Sequence, residues 1–122
     1  MKFCWVTINV NNMEKSLDFY TTIVGLSIDR MMKPNPNMQI AFLGAGETKV
    51  ELIYDPKKGT RVFGKDISIG FEVESIDQTI KMLNQKTIRV ESGPHQPNPM
   101  TKFIYVLDPN GLQVQFVENI KK

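Results

Sequence analysis

The chain contains an internal repeat that limits the kind of fold it can adopt. Residues 5–17 align with residues 68–80 without a gap, at a constant offset of 63 positions (5 to 68 and 17 to 80). Apolar residues match apolar residues, Ser16 matches Thr79, and Glu14 matches Asp77. Two copies of one unit predict a pseudo-twofold fold, in which any site between the copies is built from paired positions.

The length and composition are those of one globular domain. The chain has 122 residues, 41% of them hydrophobic and 23% charged, which is enough to bury a core. We expect a single domain over residues 1–122, with repeat one at about 1–55, a polar linker at about 56–65 and repeat two at about 66–118.

Charge and hydropathy exclude several classes of partner. The net charge is +2 and the basic residues are scattered, whereas nucleic-acid binding usually needs a basic arm or stripe. No run of about 18 apolar residues exists, so we expect no membrane partner. The N-terminus lacks the apolar core of a signal peptide, and one cysteine cannot form an intrachain disulfide. These features predict a cytoplasmic protein.

The periodicity of each copy predicts one strand, one helix and three further strands. In the first copy, alternation at 3–10 indicates a strand, Asn11 and Asn12 cap a helix, and Gly25 ends it. The remaining strands are expected at 26–32, 38–43 and 48–54, with a proline-rich loop at 34–37. In the second copy the strands are expected at 67–73, 87–91, 101–107 and 112–118, with a helix capped by Ser75, a proline-rich loop at 93–99 and a tight turn at 108–111.

This order predicts an α+β fold of two βαβββ repeats. One helix covers one face of each four-stranded mixed sheet, so the two curved sheets are expected to form a pseudo-twofold cup with the helices outside. Strand alternation places Trp5 and Thr7 on the cup side of the first strand, and Ser68 on that of its twin. In the last strands, residues 49–52 align with residues 113–116, which pairs Glu51 with Gln115. The predicted floor of the cup is therefore Trp5, Glu51, Ser68 and Gln115, with Thr7 beside them.

Several segments, taken together in this order, resemble the vicinal oxygen chelate superfamily. This superfamily holds glyoxalase I, extradiol dioxygenases and the fosfomycin- and bleomycin-resistance proteins. The segments are VNNMEKSLDFY at 10–20, GL at 25–26, VEL at 50–52, FEV at 71–73, DPNG at 108–111 and VQF at 114–116. The resemblance covers nearly the whole chain and implies the cup-shaped fold given above.

The resemblance also implies where a metal would bind. Metal-dependent members take two His and one or two Glu from the first and last strands of each repeat, which here are Trp5, Glu51, Ser68 and Gln115. Only Glu51 is a good ligand, because zinc, nickel and iron favour imidazole and the indole offers only an N–H donor. We therefore expect no metal and no other cofactor.

The individual residues leave alternatives open. Trp5 is either a stacking platform for a planar ligand or a plug in a lost metal site. Glu51 is either a catalytic acid or base, or a carboxylate hydrogen-bonded in a polar cavity. His95 is expected to be exposed in the second proline-rich loop, with the cup mouth as the alternative. Cys4 is expected to be buried against the helix.

Two functions of different class remain compatible with the sequence. The first is a metal-free binding protein that holds a small, partly aromatic molecule on Trp5, Thr7, Glu51, Ser68 and Gln115. The second is a lyase, isomerase or epimerase that uses Glu51 with no metal or with a displaced metal. The sequence leaves open whether a reaction is catalysed. We also expect a homodimer, because the sheet edges need covering.

Overall fold

A computed structural model describes residues 1–120 of the chain. The chain folds as two compact units, which we call module 1 (Met1–Val62) and module 2 (from Phe63 onward). The boundary lies inside the linker predicted at 56–65, where Pro56–Lys58 forms a short 3₁₀ helix. No helix within the described residues is long and apolar enough to cross a membrane.

Module 1 is a four-stranded mixed sheet with one helical segment. Its elements are β1 Trp5–Asn9, α1 Met13–Asp18, β2 Ile28–Asn35, β3 Met38–Leu43 and β4 Lys49–Tyr54. The strand order is β1-β4-β3-β2, with β1 parallel to β4 and the other pairs antiparallel. A five-residue π-helix, Phe19–Ile23, extends α1.

Module 2 repeats this topology. Its elements are β5 Ser68–Glu72, α2 Ile76–Gln85, β6 Ser92–Asn98, β7 Thr101–Leu107 and β8 Gln113–Asn119. The strand order β5-β8-β7-β6 matches that of module 1, again with one parallel pair, β5 and β8. The predicted α+β fold of two βαβββ repeats is therefore confirmed.

Both helices begin at the predicted capping residues. The Asn12 Oδ1 accepts a hydrogen bond from the Lys15 amide at 2.9 Å, and the Ser75 Oγ accepts one from the Gln78 amide at 3.2 Å. Each bond satisfies an amide that the helix itself cannot pair. Gly25 has φ of +86°, which confirms a left-handed residue after the first helical segment.

The core of each module lies between its helix and one sheet face. The strand residues on this face alternate with residues of the other face, as a half-buried sheet requires. The buried ones include Ile8, Ala41, Leu43, Val50 and Leu52 in module 1, and Ile104, Val106, Val114 and Phe116 in module 2. The opposite face of each sheet carries no helix of its own module, and we call it the helix-free face.

The two proline-rich segments are mostly strand, so the loops predicted at 34–37 and 93–99 are confirmed only at their ends, where residues 36–37 and residue 99 form turns. Strand β2 continues through Pro34 to Asn35, and β6 contains Pro94 and Pro97. Both strands lie at sheet edges, where a missing backbone donor breaks no ladder, and both pairings contain register shifts. The strand predicted at 87–91 was also wrong, because those residues precede β6.

Cys4 is exposed, which corrects the expectation that its thiol is buried. Strand β1 begins only at Trp5, so Cys4 lies outside the strand whose alternation suggested burial. The buried positions begin further along the chain, with Ile8 in β1 and Val10 just after it.

Candidate functional site

The helix-free face of module 1 carries one row of side chains across all four strands. The register pairs Thr7 of β1 with Glu51 of β4, Glu51 with Phe42 of β3, and Phe42 with Arg30 of β2. Paired residues in neighbouring strands point to the same side of a sheet. The row therefore places a hydroxyl, a carboxylate, an aromatic ring and a guanidinium side by side.

Glu51 is fixed within this row. The Thr7 Oγ1 donates a hydrogen bond of 2.5 Å to Glu51 Oε1, and the whole residue is only 9% exposed. Every fully buried side-chain nitrogen or oxygen among residues 1–120 has a hydrogen-bond partner. Glu51 Oε2 has no hydrogen-bond partner among residues 1–120. It is therefore not fully buried and must reach solvent. It is an acceptor that a bound molecule can use.

Trp5 lies on the same face as Glu51, two residues before Thr7 on β1, and offers an apolar surface. Its ring meets Phe42 edge to face, with 5.3 Å between centroids, and 45% of the residue is exposed. A large indole left this exposed is a natural surface for stacking a planar molecule. Phe42 is also covered from another side by Arg30, whose Cζ lies 4.5 Å from the ring centroid.

The corresponding row of module 2 has different chemistry. It runs through Gly70, Gln115, Tyr105 and Ser92 in the order β5, β8, β7, β6. Gly70 stands where module 1 has Thr7, and a Cβ added there would lie 3.3 Å from Gln115 Oε1. With no hydroxyl on that side, the Gln115 amide donates instead to the Tyr105 hydroxyl at 3.2 Å.

The structure brings the predicted residues together within each module. Trp5, Thr7 and Glu51 share the helix-free face of module 1. Ser68 and Gln115 share that of module 2, where Ser68 is exposed and pairs in register with Gln113. The convergence of all these residues on one cavity stays a prediction.

His95 lies in strand β6 rather than in a loop, and it belongs to an aromatic cluster. Its ring centroid is 5.2 Å from that of Phe103 and 6.3 Å from that of Tyr105, and its Nε2 is hydrogen-bonded to the Ser92 Oγ. The cluster lines an open groove of about 620 Å³ together with Pro94 and Pro97. The sequence pattern does not reveal this groove, because Pro94 and Pro97 normally argue against a strand.

Phe42, Arg30 and Tyr105 were also overlooked. One signal could have revealed two of them, because Phe42 and Tyr105 are both aromatic and lie 63 positions apart (42 to 105), which is the offset of the repeat. Arg30 gives no such signal, since the residue in the corresponding pairing is Ser92.

The four positions that would hold the superfamily's metal do not suit one. The Trp5 indole has no lone pair to give, and Glu51 already shares one oxygen with Thr7. The Gln115 side chain is engaged with Tyr105, and neutral hydroxyl and amide oxygens are weak ligands for zinc or nickel. Elsewhere in residues 1–120, no three His, Cys, Asp or Glu side chains cluster as a metal site would require.

Comparison with known proteins agrees with this fold. The sequence profile of the Glyoxalase/Bleomycin resistance protein/Dioxygenase superfamily matches residues 2–116. A probable lactoylglutathione lyase of Vibrio cholerae is 30% identical over 126 aligned residues, which cover 92% of this chain and 86% of the relative.

Two solved structures have the same fold at low sequence identity. The trypanothione-dependent glyoxalase I of Leishmania major is 19% identical, with a TM-score of 0.82 over 97% of this chain and 86% of its own. TnmS3, an antibiotic-binding protein of a Streptomyces, is 17% identical, with a TM-score of 0.76 over 98% of this chain and 97% of its own. Since the profile spans nearly the whole chain and the βαβββ unit occurs twice, this protein belongs to the Glyoxalase/Bleomycin resistance protein/Dioxygenase superfamily.

Proposed function

We propose that this protein binds a small, planar, partly aromatic molecule without a resident metal. The observation that carries the proposal lies on module 1, where the half-exposed Trp5 ring and the solvent-reaching Oε2 of Glu51 share one sheet face, and the ring contacts Phe42, the register partner of Glu51. Stacking on the indole would supply apolar contact, and the fixed carboxylate oxygen would select a hydrogen-bond donor on the ligand.

The arrangement is rigid enough to recognise a ligand without large rearrangement. Glu51 sits in the middle of the sheet and is held by Thr7, while Trp5 is held against Phe42. Groups already fixed in place lose little conformational entropy when a ligand binds. TnmS3, which has the same fold and binds an antibiotic, supports a binding role.

A second candidate is a lyase, isomerase or epimerase in which Glu51 moves a proton. Its support is the probable lactoylglutathione lyase to which the chain is 30% identical, together with the accessible Glu51 Oε2. In this scheme the carboxylate takes a proton from a carbon beside a carbonyl group and returns it to another position or to the opposite face. The step conserves atoms and electrons and requires no oxidant.

Fluorescence of the purified protein tests the binding proposal. Trp5 is the only tryptophan, so its emission reports on the proposed site directly. Titration with a panel of two-ring aromatic compounds should quench this emission saturably, and native mass spectrometry should show the compound bound without stoichiometric metal. The proposal fails if no compound of the panel quenches Trp5 at millimolar concentration, or if a tightly held metal ion accompanies the protein.

A turnover assay separates the two candidates. The methylglyoxal–glutathione adduct, with added nickel or zinc, should show no turnover above the uncatalysed rate, because the four positions lack the imidazoles that hold such metals. Robust metal-dependent turnover would contradict the binding proposal. Metal-independent turnover that is abolished by Glu51→Gln would establish the second candidate instead.

We also propose that the protein is a homodimer. Strands β1 and β5 lie at sheet edges and contain no proline, so their unpaired backbone groups need a partner more than those of β2 and β6 do. A twofold pairing is the commonest closed solution. Sedimentation at micromolar concentration should show a species of twice the 13.9 kDa chain mass, and a lone monomer would refute the proposal.

A further inference from the structure

We propose that the ligand is an acid, and that Arg30 binds its carboxylate or other planar anionic group. This inference rests on the proposed binding function and narrows it to one chemical class. Arg30 lies on the same helix-free face as Trp5 and Glu51, at the β2 end of the row that crosses module 1.

The Arg30 guanidinium is held in place while its N–H groups remain available to a ligand. It lies over the Phe42 ring at 4.5 Å, and an aromatic face attracts a cation while leaving its N–H groups able to donate. The residue itself is exposed. A planar guanidinium fixed by stacking is suited to a bidentate contact with a carboxylate.

Arg30 also has no anionic partner among residues 1–120. No acidic side chain among residues 1–120 forms a salt bridge with it. Lys49, which shares the face, is occupied instead: its Nζ donates to the Gly44 carbonyl at 2.6 Å and lies 3.9 Å from Asp29. An incoming anion would therefore meet Arg30 without displacing a protein carboxylate.

The spacing of the row defines where the acid group lies on the ligand. Glu51 and Arg30 are two strands apart, which is about 10 Å between backbones. Their charges oppose each other, so the ligand should present a hydrogen-bond donor to Glu51 and an anion to Arg30. Its planar body would rest on Trp5, whose ring contacts Phe42, the residue between Glu51 and Arg30 in the row. A conjugated two-ring acid with a hydroxyl at the far end has this pattern.

Calorimetric titration with a matched pair of probes tests the inference. The pair is 6-hydroxy-2-naphthoate and its neutral amide, 6-hydroxy-2-naphthamide, which differ only in the anionic group. Wild-type protein should bind the acid about tenfold more tightly than the amide. Arg30→Gln should abolish this preference while leaving amide affinity nearly unchanged, and Arg30→Lys should retain part of it because the charge remains but the planar fork is lost. Arg89→Gln, at an exposed position of module 2, is the control and should keep the full preference.

The outcomes distinguish this inference from the proposed function. Equal affinity for acid and amide in the wild type would overturn the role of Arg30, although binding of the amide would still support the planar site. A preference that survives in Arg30→Gln would likewise overturn it. If neither probe nor any other planar compound binds, the proposed function fails, and the inference fails with it.

Discussion

The two modules bury the same kind of core but present different side chains on their helix-free faces. On the buried side, Leu52 of module 1 corresponds to Phe116 of module 2, and both are almost fully buried. On the helix-free side, Glu51 corresponds to Gln115 and Arg30 to Ser92. Burial against a helix demands apolar side chains, whereas the helix-free face is free to carry polar ones. In the paired rows, module 1 has a carboxylate and a guanidinium where module 2 has an amide and a hydroxyl.

The contrast between Thr7 and Gly70 shows how one position changes its neighbour. In module 1 the Thr7 hydroxyl holds Glu51 from the β1 side. In module 2, Gly70 offers no side chain, so Gln115 turns to Tyr105 on the β7 side. The Glu51 carboxylate is therefore oriented by a residue of the edge strand β1, and the Gln115 amide by a residue of the inner strand β7. The backbone positions of Glu51 and Gln115 are nevertheless equivalent.

The largest effect is expected from giving both modules the metal ligands they lack. Trp5→His, Ser68→His and Gln115→Glu in one protein, with Glu51 kept, would supply two imidazoles and two carboxylates. If the four positions converge as the repeat predicts, zinc or nickel affinity should rise by at least about a thousandfold over wild type. Equilibrium dialysis against a competing chelator measures the change.

The control for this variant removes one ligand of the set. Adding Glu51→Gln to the triple variant should lower the gained affinity by about tenfold or more. A triple variant that keeps its circular dichroism spectrum but binds zinc no better than wild type would show that the modules do not pair these positions. The repeat would then relate the backbones of the two modules without bringing these four side chains together.

The sequence allowed the fold to be predicted because strand alternation and capping leave local signals. Asn12 and Ser75 were identified as caps from residue type alone, and β3 and β7 have the predicted bounds. Strand β6 was missed, and β2 was predicted to end too early at residue 32, because Pro34 and Pro94 normally argue against a strand. Only the pairing partners show that these edge positions need no backbone donor.

The candidate site was predicted only where the alternation of side chains along a strand identifies the face on which a residue lies. The alternation of side chains along each strand placed Trp5, Thr7 and Glu51 on one face, but it did not reveal the hydrogen bond that Thr7 donates to Glu51. It could not identify Arg30, because the register between β2 and β3 shifts at two places, and a shift of one residue moves a side chain to the other face. The stacking of Arg30 on Phe42 follows from that register and has no counterpart in the sequence pattern.

Core truncation at equivalent positions should have the next largest effect. Leu52→Ala and Phe116→Ala should lower the free energy of unfolding by about 3 and about 4 kcal/mol respectively, because each leaves a cavity in a buried sheet face. Chemical denaturation followed by circular dichroism measures both. Val62→Ala, at a residue that is 90% exposed, is the control and should stay within about 0.5 kcal/mol of wild type. A near-neutral result for either core variant would show that its module relaxes around the gap.

Ligand binding should depend more on module 1 than on module 2. Trp5→Ala should weaken a planar ligand by about tenfold, because the stacking surface is lost. Phe103→Ala, which removes one ring of the His95 cluster, should change affinity by less than about threefold. Calorimetry is the suitable measurement, since Trp5→Ala also removes the fluorescent reporter. The reverse order of effects would place the main platform on the groove of module 2.

The smallest expected difference concerns the two helix caps. Asn12→Ala should lower the free energy of unfolding by about 1 kcal/mol, because the Lys15 amide loses its acceptor. Ser75→Ala should cost less, since the first turn of α2 keeps a second capping contact: Glu118 Oε1 accepts a hydrogen bond of 2.8 Å from the Ile76 amide. That carboxylate also lies at the positive end of the helix dipole. Adding Glu118→Ala to Ser75→Ala should bring the loss to at least that of Asn12→Ala, and an equal cost for the two single variants Asn12→Ala and Ser75→Ala would show that Glu118 gives α2 no extra support.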